Sequence, residues 1–119
     1  MAMTIYHNPR CSKSRKTLDV LRERGIEPTI VEYLVDVPSA ERIVELAGLI
    51  GVPVRALLRT GEPDYRDADD LPDPADDVAL ARWLTAHPRV LQRPIVVDDA
   101  AGRAVIGRPP ENVRDLLPA

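Results

Sequence analysis

The stretch TIYHNPRCSKSRKTLDVLRERGIEPTIVEYL, residues 4–34, decides how this chain folds. It opens on a short run of strand-forming residues, Thr4, Ile5 and Tyr6, breaks at Asn8-Pro9, and enters a segment that reads as a helix from about Ser12. Ser14, Leu18 and Leu21 recur at spacings of four and three and define a narrow inward face, leaving Arg15, Lys16, Asp19, Arg22 and Glu23 for exposed positions. Gly25 supplies the stop. Residues 29–34, rich in β-branched and aromatic side chains, then read as a second strand, parallel to the first because a crossover helix intervenes. The resulting βαβ unit puts Cys11 at a strand-to-helix junction.

Working outward, Pro38 and Ser39 prepare a second helix with Ile43, Leu46, Ala47 and Ile50 on one face, ended by Gly51 and Pro53. A short helical segment containing Val54, Ala56, Leu57 and Leu58 follows, with Arg55 and Arg59 at its margins. Residues 62–77 hold eight acidic residues and only Arg66 as a base, which predicts an irregular surface region with short helical turns. Residues 78–86 support a helix with Leu80, Ala81 and Leu84 inward and Trp83 extending the apolar cover, ended by His87-Pro88. Residues 95–97 and 104–106 read as a hairpin, and Pro110 begins a last helical segment with Val113, Leu116 and Leu117 inside. The order β, α, β, helical insertion, β, β, α predicts an α/β thioredoxin-like (glutaredoxin-like) sandwich around a small mixed β-sheet. It is read as a single domain over residues 1–119, with a helical and irregular insertion at about 38–90.

Composition narrows the function. With 119 residues, 45% hydrophobic and 29% charged, the chain suits one globular domain. No Phe, one Trp and three Tyr make the core aliphatic and exclude an extended aromatic platform. The net charge of −3 argues against nucleic acid as a partner held by overall charge. Neither a membrane-length apolar span nor a signal-type leader is seen, so a cytoplasmic location and no membrane partner are expected; a monomer is expected as well. The one cysteine, Cys11, excludes an intramolecular disulfide and an all-cysteine metal site, and His7, His87 and scattered carboxylates show no metal-ligand spacing. No G-x-G-x-x-G segment follows the first strand, which argues against a dinucleotide enzyme; no tightly bound cofactor is expected. At a helix beginning, among Arg10, Lys13, Arg15 and Lys16, the thiol is placed to act as a thiolate nucleophile; as a lone cysteine it reads equally as a small inert hydrophobe. A phosphatase loop would need Arg six positions after the cysteine, where Thr17 stands.

Tyr6-His7, Asn8-Pro9-Arg10-Cys11, Ser12, Ser14 and Arg15 together resemble the active-site segment of the glutaredoxin-coupled arsenate reductases and their less characterised relatives. Glu27-Pro28-Thr29, Tyr33-Leu34, Arg55-Ala56-Leu57-Leu58-Arg59, Arg93-Pro94-Ile95-Val96-Val97 and Gly107-Arg108-Pro109 follow in that family's order. The resemblance implies an arsenate-reductase type of thioredoxin-like fold, with Cys11 as nucleophile and Arg59, Arg93 and Arg108 around an oxyanion. Planar guanidinium forks suit that role. It also implies that His7 favours the thiolate, that Ser14 bonds the sulfur or the oxyanion, that Asn8 shapes the loop, and that Pro94 is the cis proline beside the site.

The implied reaction is arsenic detoxification: reduction of arsenate to arsenite through a Cys11 adduct, with glutathione as thiol co-substrate and a glutaredoxin as protein partner. Ser14 stands where a C-x-x-C pair would have its second thiol, so a dithiol oxidoreductase is excluded. Taken singly, Arg59 and Arg108 also read as a helix-end residue and a surface ion-pair residue, and Arg93 as an edge-strand residue. The alternative to arsenate reduction is a non-arsenate thiol oxidoreductase, or a thioredoxin-like regulatory interaction protein with little reductase activity.

Overall fold

The computed structural model describes residues 3–117, which fall into two compact units, residues 3–36 with 93–117 and residues 37–92. The first unit carries the sheet. Its strands are β1 (Met3–His7), β2 (Thr29–Glu32), β3 (Ile95–Asp98) and β4 (Arg103–Ile106), in the spatial order β2-β1-β3-β4. β1 runs parallel to β2, with Ile5 opposite Ile30, and antiparallel to β3, with Ile5 opposite Val96. β2 is shorter than the sequence suggests, because residues 33–35 leave the strand as a turn in which Val35 N–H and Asp36 N–H both donate to the Glu32 carbonyl.

A parallel pair needs a crossover, and helix α1 (Ser12–Glu23) supplies it. Its buried stripe is Ser14, Thr17, Leu18 and Leu21. The helix ends on a Schellman arrangement: Gly25, at φ +76°, donates to the Arg22 carbonyl, and Ile26 donates to the Leu21 carbonyl at 3.0 Å. Leu18 and Leu21 join Met3 and Ile5 of β1, Val96 of β3, and Val113 and Leu116 of the closing 3-10 segment (Pro110–Leu116) in one buried cluster. The alternation of the pleat sends Tyr6, Ile95 and Val97, also buried, to the opposite face.

One contact in this unit leaves no room for a side chain. The Gly107 N–H donates to the Pro94 carbonyl at 2.8 Å, and the Thr17 hydroxyl donates to the Gly107 carbonyl at 3.1 Å. A Cβ on Gly107 would lie 2.8 Å from Thr17 Oγ1 and 2.9 Å from Pro94 Cγ. Glycine is required there by close approach, not by φ.

The second unit is helical. α2 (Ala40–Ile50) is capped by Ser39, whose Oγ accepts the Arg42 N–H at 3.1 Å, and buries Ile43, Leu46 and Ala47. A 3-10 turn (Val54–Leu57), the short helix α3 (Pro63–Arg66) and α4 (Asp77–Ala86) follow. α4 is capped by Asp76, whose Oδ1 accepts the Ala79 N–H, while Asp77 Oδ1 accepts the Val54 N–H at 3.2 Å and ties the 3-10 turn to this helix. Trp83 is buried, donates to Asp70 at 3.0 Å and stacks on His87 at 4.3 Å. The acidic stretch is thereby pinned to α4, not left as a free linker.

Two outcomes are expected. Gly107→Ala destabilises the protein by about 1–3 kcal/mol, the cost of overpacking, read from urea unfolding midpoints. Asp76→Ala costs about 1 kcal/mol through the lost cap; an unchanged midpoint in either variant would contradict the contact assigned to that residue.

Candidate active site

β1 delivers His7 to the end of the sheet, and the chain then turns through Asn8-Pro9-Arg10-Cys11. The Cys11 N–H closes the turn on the Asn8 carbonyl at 3.0 Å, and Asn8 Oδ1 accepts the Arg10 N–H at 3.0 Å. Arg15 reaches back from α1 to donate to the Pro9 carbonyl at 2.8 Å. Asn8 therefore shapes the loop with backbone and side chain alike.

Cys11 is the N-cap of α1, with extended φ and ψ of −93° and 121°, and its thiol makes no cap hydrogen bond. The side chain is half-buried. The N–H groups of Ser12, Lys13 and Ser14 have no intrahelical acceptor, and the first turn carries no acidic residue. Arg10, Lys13, Arg15 and Lys16 are exposed around this end.

Beneath the loop lies a buried polar pair. Ser14 is fully buried; its Oγ accepts the Asn8 N–H at 3.1 Å and sits 2.6 Å from His7 Nδ1. Burial pushes the His7 imidazole below its ordinary 6.5, helped by Arg22 and Arg15 and opposed by Glu32. The 2.6 Å contact between His7 Nδ1 and Ser14 Oγ is a hydrogen bond whose donor is set by the tautomer of the ring.

Of the remaining residues, Arg93 precedes a cis peptide to Pro94, and Arg108 precedes a second cis peptide to Pro109. The Gly107 bond to the Pro94 carbonyl sets these two segments side by side. Both arginines are half-buried. Arg59 belongs to the other unit, where its N–H donates to the Val90 carbonyl at 2.6 Å and its guanidinium pairs with Glu62.

The sequence reading missed two supporting residues. Thr17 was noted only as a missing arginine, yet it is buried and bonds Gly107; its place on the stripe of Ser14, Leu18 and Leu21 was the available signal. Asn112 Nδ2 donates to the Ile106 and Arg108 carbonyls, each at 3.1 Å, and clamps the turn that carries Arg108; no sequence signal marked it. Among the described residues, no group of three or more His, Cys, Asp and Glu is placed to hold a metal ion. No described helix is long and apolar enough to cross a membrane.

Comparison with known proteins matches the ArsC family over residues 6–116. An arsenate reductase of Acidiphilium multivorum is 41% identical, covering 98% of this chain and 81% of its own length. The uncharacterised protein YfgD of Escherichia coli is also 41% identical, covering 95% of this chain and 94% of its own. The solved structure of an arsenate reductase from Vibrio cholerae superposes with a TM-score of 0.87 at 41% identity, covering 98% of both chains. The thioredoxin-like α/β fold and an arsenate-reductase-like oxidoreductase class follow from these likenesses.

One expectation is corrected. Glutathione- and glutaredoxin-dependent reduction of arsenate through a Cys11 adduct does not stand, because the relay typical of that reaction passes through several cysteines of the enzyme and this chain has no second one to continue it. Cys11 is the one cysteine of the chain. With the family pattern spanning residues 6–116 and relatives aligned along nearly the whole length, the chain belongs to the ArsC family.

Proposed function

We propose that this ArsC-family chain is a monothiol oxidoreductase whose substrate is a disulfide or mixed disulfide, not arsenate, with Cys11 as the nucleophile. The setting of Cys11 carries this reading: half-buried at the N-cap of α1, with three amides lacking intrahelical acceptors and four exposed cations around it. Donors and cations so placed meet the negative charge that moves between sulfur atoms during exchange.

Cys11 Sγ attacks one substrate sulfur, forms a mixed disulfide, and releases the other half as a thiolate that takes a proton from water. An external thiol of the glutathione class then attacks the substrate-side sulfur, frees Cys11, and leaves as a new disulfide. A second external thiol reduces that product, so both electrons come from outside the protein. In this reading Arg93 and Arg108 orient a carboxylate of a peptide-like substrate, and His7 and Ser14 position the loop.

With 2-hydroxyethyl disulfide and excess thiol, we expect catalysed exchange that falls to the uncatalysed background in Cys11→Ser, with mass spectrometry finding the mixed disulfide on Cys11. Equal rates for both proteins would remove Cys11 from the mechanism. Arsenate under the same conditions should give no arsenite above background.

His7 gives a separate pH prediction. With its folded pKa below 6.5, the unfolded chain binds more protons as pH falls through 6.5, so stability is lost on acidification until the folded ring also titrates. His7→Gln should flatten this slope in urea unfolding. A His7 ring titration midpoint above 6.5 by NMR would contradict the neutral buried imidazole.

A further inference from the structure

In the 37–92 unit, α3 contributes residues to two cavities of opposite character. One is lined by Asp64, Asp67, Asp69 and Asp70 with His87. The other, of about 540 Å³, is walled by Leu58, Leu71 and Leu80 with prolines on either side, and its polar groups are the Arg55 guanidinium and the hydroxyls of Thr60 and Tyr65. No carboxylate lines this second cavity.

Five of the nearby acids are engaged elsewhere. Asp70 takes the Trp83 N–H, Asp73 the Ala75 N–H, Asp76 the Ala79 N–H, Asp77 the Val54 N–H, and Glu62 holds Arg59. Arg55 has no ion-pair partner among the described residues. Leu71, one of the few large apolar side chains left exposed, is 38% accessible at this cavity. An apolar chamber of a few hundred Å³ with a small set of convergent polar groups is the common form of a small-molecule site. An uncompensated guanidinium at its edge selects a planar anion that accepts two parallel bonds.

We propose that this cavity binds a small amphiphilic carboxylate of the medium-chain fatty acid class, its chain against Leu58, Leu71 and Leu80 and its carboxylate on Arg55. Thr60 and Tyr65 donate to the same head group. The site is independent of Cys11 and its chemistry.

Calorimetric titration of the full chain with sodium octanoate tests the site, with 1-octanol and acetate as comparisons. Octanoate is expected to bind saturably, one per chain, about tenfold tighter than 1-octanol, the factor a charge-assisted hydrogen bond is worth; acetate, lacking the chain, does not compete. Arg55→Gln should erase the preference for octanoate while keeping octanol affinity, and Leu71→Asp should abolish octanoate binding. Both substitutions lie at exposed positions, and far-UV circular dichroism checks that the variants fold. No saturable octanoate binding at millimolar concentration, equal affinity for octanoate and octanol, or undiminished octanoate binding in folded Arg55→Gln would each overturn the proposal. The first two rest on the unsubstituted protein alone.

Discussion

A parallel strand pair cannot be closed by a tight turn, and this constraint on β1 and β2 organises the first unit. The chain must leave the end of β1, travel back along a face of the sheet, and re-enter beside its own beginning. α1 is that return path, so its N-terminus is fixed at the end of β1 where His7 emerges. Cys11 caps α1 because the connecting loop has only Asn8, Pro9 and Arg10 before it. Strand pairing, helix length and the position of the thiol are thus one geometric fact.

Two buried polar contacts keep that geometry from slipping. The His7–Ser14 bond joins the last residue of β1 to the first turn of α1, and the Asn8 N–H shares the same oxygen. A turn further on, Thr17 joins α1 to the Gly107 carbonyl, and Gly107 joins the Pro94 segment. Each hydroxyl is shared between two groups: Ser14 Oγ also takes the Asn8 N–H, and Thr17 Oγ1 also lies 2.9 Å from the Lys13 carbonyl. The apolar cluster from Met3 to Leu116 supplies driving force without direction; the polar pairs set the register of helix against sheet.

The elements that sequence made legible are those in which one residue periodicity matches one buried face. α1, α2 and α4 announced themselves through leucines and isoleucines at three- and four-residue spacing, and the β3–β4 hairpin through two short aliphatic runs about a Gly102 turn. β2 was read too long because Tyr33 and Leu34 have strand propensity; Tyr33 is buried after the chain has already turned, a tertiary choice that propensity does not contain. At the candidate site, the loop and the position of Cys11 were legible from Asn8-Pro9 and the helix start. The partners of polar side chains were not. That His7 bonds Ser14, or that Arg59 pairs with Glu62, depends on rotamers and neighbours fixed only in three dimensions.

A lone thiol imposes its own requirement on such a site. With no second cysteine, whatever resolves a disulfide on Cys11 must come from solution and approach along the axis of the sulfur–sulfur bond. A buried cysteine would be stable and useless, and a cysteine on a mobile loop would be reachable but poorly aimed. Here the burial falls on neighbours: His7 and Ser14 are sequestered, while Cys11 is half-buried and Pro9 and Arg10 lie open. In the proposed disulfide exchange, His7 and Ser14 would hold the loop through their buried bonds without touching substrate, and its exposed side, Pro9 and Arg10, would face the incoming thiol.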